Sequence, residues 1–156
     1  MRLTPFTEEN YQNIYAFMAP LWKDTYQTII PETQIEFLLQ KYFSAQGIRH
    51  YRDVGYEYYV IESEQGEWAG TLVYQRRNEG IYIDKLYILP AFRGKGYPAF
   101  VFNELQNEGE ALFLNVNQKN VRAVRCYLKN GFAIAKEERI DLGGGMVNVD
   151  YVMCRK

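Results

Sequence analysis

The first apolar rhythm in the chain has a helical period. Tyr11, Ile14, Tyr15 and Met18 recur three and four residues apart and predict a helix over 8–19. Thr7 suits its N-cap, with Asn10 in place of the Glu of a capping box. Residues 2–5 ahead of it read as a short strand, and the run from Trp22 to Tyr26 behind it as a connection. A second helix places Pro31 in its first turn and Ile35, Leu38, Leu39 and Tyr42 on one face. From Tyr56 the period falls to two. Tyr56 to Glu62, Trp68 to Gln75 and Ile81 to Leu89 read as strands, with turns at Gln65-Gly66 and Asn78-Glu79-Gly80. The third of these is apolar on both alternating sets near its end, as a central buried strand is, and Pro90 stops it. A helix from Pro98 to Asn107, a strand from Ala111 to Val116 and an amphipathic helix from Asn120 to Lys129 follow. Gly131 lies just beyond that helix, where a left-handed cap is wanted. Two strands, near 132–140 and 146–154, close the chain around Gly143-Gly144-Gly145.

The predicted order is β-α-α-β-β-β-α-β-α-β-β. The strand–helix–strand passage over 81–117 requires a right-handed crossover between parallel neighbours, while hairpins make antiparallel pairs elsewhere. The expected fold class is therefore α/β (α+β): a mixed, mostly antiparallel sheet of about seven strands with a parallel central pair, flanked by about four helices. No repeat, low-complexity tract or linker divides the sequence, so residues 1–156 are expected to form a single domain.

Composition narrows the classes. Apolar residues at 47% and charged residues at 24% are ordinary for a globular chain. A net charge of −1 and a pI near 5.9 argue against bulk electrostatic binding to nucleic acid or to an anionic membrane. No apolar run has the length of a signal peptide or a membrane span, and the cytoplasm is the expected location. Cys126, Cys154 and the single His50 form no CxxC or histidine pair, so neither a metal site nor a disulfide framework is expected. The 14 tyrosines suit half-buried strand surface or a pocket lined by rings and hydroxyls.

The chemistry concentrates after the third internal strand. Leu86-Tyr87-Ile88-Leu89-Pro90 leads into Arg93-Gly94-Lys95-Gly96-Tyr97-Pro98-Ala99, a basic glycine-rich turn that opens a helix. Glycines let the backbone take positive φ and approach a ligand, and a helix start offers free N–H groups with a partial positive charge. With Arg93 and Lys95 these make an anion site suited to a phosphate or diphosphate. A Walker loop is absent. The dinucleotide fingerprint fails because its third glycine position is Ala99. Alone, such a turn is equally well a structural one.

A second stretch changes the reading. Leu114-Asn115-Val116-Asn117-Gln118-Lys119-Asn120 continues through Ala123 and Tyr127 to Gly131-Phe132. The two stretches resemble the central motifs of GNAT acetyltransferases: the loop Q/R-x-x-G-x-G/A, and L-x-V-N-x-x-N-x-x-A-x-x-x-Y-x-x-x-G-F. The resemblance covers roughly 55–154. The last Gly/Ala of the loop pattern falls on Pro98, which removes one N–H from the diphosphate contact.

What the resemblance implies is specific. Gly94, Lys95, Gly96, Tyr97, Pro98 and Ala99 would surround the diphosphate of acetyl-CoA, with charge from Arg93. Leu86, Tyr87 and Ile88 would pair their backbone with the pantetheine arm. An N–H near Leu86 and Tyr87 would polarise the thioester carbonyl. Asn120 would contact the pantetheine, a role that coexists with an ordinary helix cap. Tyr127 would protonate the leaving thiolate. Asp84 is the first candidate for the base, with Glu62, Asp150 or a held water as others. Asp24, Tyr26 and Asp150 resemble acceptor-binding positions of the polyamine acetyltransferase-like branch, where acidic and aromatic groups suit a cationic amine. Cys126, without a histidine partner nearby, is a poor covalent nucleophile.

The expected activity is direct acetyl transfer from acetyl-CoA to a small primary amine, without metal, nucleic-acid or membrane partners. The resemblance leaves room for a homodimer. The alternatives are a non-catalytic acyl-CoA-binding sensor, an aminoglycoside- or protein-directed acetyltransferase, and an unrelated phospholigand protein.

Overall fold

A computed structural model describes residues 1–107 and 109–156. Its strands are β1 (Arg2–Pro5), β2 (Tyr56–Glu62), β3 (Trp68–Arg77), β4 (Gly80–Ile88), β5 (Leu112–Asn117), β6 (Ala133–Gly143) and β7 (Met146–Arg155). Its helices are α1 (Tyr11–Tyr26), α2 (Glu32–Phe43), α3 (Ala45–Asp53), α4 (Tyr97–Leu105) and α5 (Val121–Lys129). The seven strands join in the order β1-β2-β3-β4-β5-β7-β6. β4 and β5 run parallel, with Ile81 opposite Leu112 and Ile83 opposite Leu114, while β5 and β6 each pair antiparallel with β7. The expected mixed, mostly antiparallel fold class holds, with one helix more than foreseen. Among the described residues no helix is long and apolar enough to cross a membrane.

Two elements differ from the sequence reading. α1 runs through Pro20 to Tyr26 instead of stopping at 19. Proline removes the bond that residue 20 would donate to the carbonyl of Ala16. Burial of Leu21 and Trp22 in the next turn offsets that loss, at roughly 1.5–3 kcal/mol for a large side chain. α3 is the additional helix. Its hydroxyl cap is Ser44, whose Oγ accepts from the amide of Gly47 at 3.1 Å. A Cβ at Gly47 would lie 2.2 Å from the carbonyl oxygen of Lys41, so only glycine permits this close passage of α3 past the end of α2.

The chain contacts divide into two compact units. One comprises residues 1–74 and 85–93, the other 75–84 and 94–156. The core of the first is built from Ile14, Met18, Trp22, Phe43, Tyr58 and Val73, which join α1 and α2 to β2 and β3. In the second, Val101, Phe102, Leu112, Leu114, Phe132 and Met153 are buried. The turn at 7–10 follows its expected cap, since Asn10 Oδ1 accepts from the Thr7 amide at 3.0 Å. Gly131 takes φ 89°, the left-handed conformation that ends α5.

Candidate active site

The glycine loop expected at an anion lies between β4 and α4. Leu89 donates to Ala69 O at 2.8 Å, and a 3₁₀ turn at Pro90–Phe92 follows β4. Gly94 and Gly96 then adopt φ 74° and 86°. Nothing stands within 4 Å of a Cβ placed at either, so the left-handed backbone, not crowding, selects glycine. Gly96 caps α4, and the first helical bond comes from the amide of Phe100 to Gly96 O at 3.1 Å. The amides of Tyr97 and Ala99 precede that bond, and Pro98 between them has none to offer. Gly94, Lys95 and Gly96 are exposed. The residues therefore fit an anionic group at the helix start, with one donor fewer than an all-amide loop supplies.

The Arg93 side chain is bonded within its own unit. Its Nε donates to Ile88 O at 3.0 Å, and Nη2 reaches Asp24 Oδ2 on the last turn of α1 at 3.3 Å. A residue expected at the diphosphate is thereby joined to one expected at the acceptor. Tyr26 and Tyr87 show the same joining, their hydroxyl oxygens lying 2.7 Å apart. Trp22 packs against both rings, with centroids 5.1 Å from Tyr26 and 5.5 Å from Tyr87. Leu86 is half-buried and Ile88 nearly closed off.

In the other unit, Asn120 is the cap of α5, accepting from the Ala123 amide at 3.3 Å. Tyr127 is buried on α5 against Phe102 and Phe132, at 6.1 and 5.6 Å between ring centroids. Its neighbour Cys126 is half-buried, and that burial pushes the thiol up, against a weaker lowering by Asn130. A raised thiol is a poor nucleophile at neutral pH.

The carboxylates separate clearly. Glu62 is paired with Arg2, whose hydrogen bond holds its carboxyl below the usual range. It is committed to joining β1 and β2. Asp84 is half-buried on β4, between buried Ile83 and Lys85. Asp150 on β7 stands opposite Asn117 on β5 and Glu138 on β6. It lines a hollow of about 400 Å³ with Tyr82, Phe113, Asn115, Glu138 and Arg77 among its walls. Burial raises the Asp150 carboxyl and Glu138 adds to the rise, while a hydrogen bond with Asn115 opposes them. Asn115 also accepts from the Tyr82 hydroxyl at 3.3 Å and donates to Glu138 Oε1 at 3.4 Å. The Arg77 guanidinium lies 3.9 Å over the Tyr82 ring centroid.

Three residues escaped the sequence reading. Trp22 Nε1 is buried without a hydrogen-bond partner, a singular case among the described side chains. Lys85 is buried in the strand of the site, its Nζ 3.6 Å from the Tyr42 ring centroid. An ionisable residue inside an apolar strand was the available signal. Gly70 lets Tyr87 approach, since a Cβ there would lie 2.0 Å from the Tyr87 carbonyl oxygen. A lone glycine within a strand pattern is the mark of such an approach.

The chain shares 37% identity over 81 residues with an uncharacterized N-acetyltransferase of Mycobacterium tuberculosis, covering 49% of this chain and 51% of the relative. The chain thus spans about half the length of the curated relatives it matches. Among solved structures, the PaiA N-acetyltransferase of Thermoplasma acidophilum, in complex with coenzyme A, superposes with a TM-score of 0.75 at 18% identity, covering 99% of this chain and 98% of that one. A chimera of spermidine N-acetyltransferase SpeG from Vibrio cholerae and hSSAT gives a TM-score of 0.65 at 18% identity, covering 99% and 95%. At that identity the likeness concerns the fold. The family profile of the GNAT acetyltransferases matches residues 15–132, which include both glycine turns of the loop, Asn120 and Tyr127, and the chain belongs to that family.

Proposed function

We propose that this chain is an acetyl-CoA-dependent N-acetyltransferase that passes the acetyl group directly to the primary amine of a small cationic acceptor. The observation that carries the reading is the left-handed Gly94 and Gly96 opening α4 directly after β4, in a chain of this family. Acetyl-CoA supplies the activated acetyl thioester. The amides of Gly94, Lys95, Gly96, Tyr97 and Ala99 hold the diphosphate, and Lys95 adds charge. The backbone of Leu86 to Ile88 aligns the pantetheine, and an N–H near Leu86–Tyr87 stabilises the oxygen that becomes negative.

The amine nitrogen attacks the carbonyl carbon and the carbon–sulfur bond breaks. Tyr127 gives its phenolic proton to the departing sulfur, which near pKa 8.5 needs only a modest acid. Asp84, directly or through a water, takes the proton lost by the amine. Asp24, Tyr26 and Asp150 attract the cationic acceptor. A di- or polyamine is the acceptor class supported by the acidic and aromatic character of these positions. An acetyl-CoA-consuming chain that carries two free cysteines suits the cytoplasm.

The test is thiol release from acetyl-CoA with spermidine, an aminoglycoside and a lysine peptide as acceptors. Spermidine should give the fastest release. Coenzyme binding without release for any amine would instead support an acyl-CoA-binding sensor.

A further inference from the structure

Arg93 gathers three parts of the chain at one guanidinium. Its Nε holds the C-terminal carbonyl of β4 at Ile88, its Nη2 holds Asp24 at the end of α1, and its backbone joins Gly94, the first residue of the anion loop. The Asp24 pair is long, at 3.3 Å, and the two side chains stay 26% and 45% exposed. Such a pair is weak and yields readily to a better partner. A diphosphate is a better partner, because a guanidinium binds phosphate oxygens through two parallel hydrogen bonds. Pro98 increases the demand, since it leaves the helix start one amide short.

We propose that Asp24 and the coenzyme diphosphate compete for Arg93, so that coenzyme binding releases the Asp24 carboxylate to receive the ammonium of the acceptor. This rests on the acetyl-transfer reading and adds to it a coupling between the two substrates through the Arg93–Asp24 pair. No bond is made or broken in the exchange. Before coenzyme binds, Asp24 is neutralised by Arg93 and attracts an amine poorly. Afterwards it presents a full negative charge two residues from Tyr26, whose hydroxyl is already fixed on Tyr87. Asp24 is thus a specificity-determining residue for cationic acceptors, switched on by the co-substrate.

The experiment is a calorimetric cycle of coenzyme A binding to the parent chain, Asp24→Asn, Arg93→Gln and the double variant. Removing the competitor should tighten coenzyme A about threefold in Asp24→Asn. Arg93→Gln should weaken it about tenfold, as the loss of a charge-assisted contact does. In the Arg93→Gln background, Asp24→Asn should have no further effect. Steady-state kinetics supply the second arm: Asp24→Asn raises KM for spermidine about fivefold while kcat holds. Unchanged or weaker coenzyme binding in Asp24→Asn overturns the competition and makes the pair a structural strut. An unchanged spermidine KM overturns the release of Asp24 to the acceptor. Failure of the parent chain to bind coenzyme A overturns the acetyl-transfer reading itself, and the competition with it.

Discussion

In the unit of residues 1–74 and 85–93, tyrosines enter the core with their hydroxyls tied down. Tyr58 donates to Tyr42 O at 2.8 Å, the Tyr11 hydroxyl accepts from Arg52 at 2.7 Å, and Tyr26 meets Tyr87. In the unit of 75–84 and 94–156 the packing centres on Phe102 and Phe132, rings 4.9 Å apart, with Tyr127 against both and aliphatic side chains around them. There the polar contacts of Tyr82, Asn115, Glu138 and Asp150 gather around the hollow. The first arrangement fixes direction as well as depth, because a tethered ring has one acceptable register. Close packing of rings and aliphatic side chains, as around Phe102, fixes volume. The tethering suits the task proposed for the first unit, where Tyr87 and its neighbours on β4 must be held in place to align the pantetheine.

The contrast can be broken from its packed side first. Phe102→Ala should cost about 3–5 kcal/mol, as a large buried ring does, and denaturant unfolding measures it. A loss under 1 kcal/mol would mean that packing does not hold this unit. Next in size is Tyr127→Phe, which keeps the ring and removes the hydroxyl. Turnover should fall about a hundredfold. An unchanged rate under conditions where chemistry limits would remove Tyr127 from the mechanism. On the tethered side, Tyr58→Phe should cost about 1 kcal/mol, the worth of one hydrogen bond to the Tyr42 carbonyl.

The smallest effect concerns Asp150. Burial raises its carboxyl, so the folded chain holds that proton more tightly than the unfolded chain does. Its ionisation therefore lowers stability, with no cost below the unfolded pKa of about 3.9 and the full cost above the raised folded value. Asp150→Asn should raise the unfolding midpoint at neutral pH, and the gain should vanish on acidification through that window. A gain that persisted in acid would assign the effect to packing.

Much of this arrangement could be read from the chain. The change of period at Tyr56, the glycine turns and the crossover between β4 and β5 are local signals, and each is where it was expected. What escaped detection depends on compensation or distance. α1 passes Pro20 because burial downstream outweighs the missing bond, which a rule about proline does not weigh. α3 is short and polar, with only Gly47 and Ile48 buried, so its apolar pattern was too sparse to see. Asp24 and Arg93 are 69 residues apart, and no spacing rule pairs charges at that separation. The glycine loop raised the expectation of an anion site, with a structural turn an equal reading until the second stretch was joined to it. That its arginine would be engaged elsewhere could only come from the fold.

The orphaned indole of Trp22 gives the molecule a built-in reporter. The chain has two tryptophans, and this one sits among Tyr26, Tyr42, Phe43 and Tyr87, sealed from solvent. Its emission should therefore be blue-shifted and fed by energy transfer from the surrounding phenols, as a fluorescence spectrum excited at the tyrosine band would read. Its ring proton, lacking an acceptor, should resonate apart from a hydrogen-bonded one. A shift of α1 that carries Asp24 away from Arg93 displaces this ring against its neighbours, and so registers as a change of colour and line position without any added label.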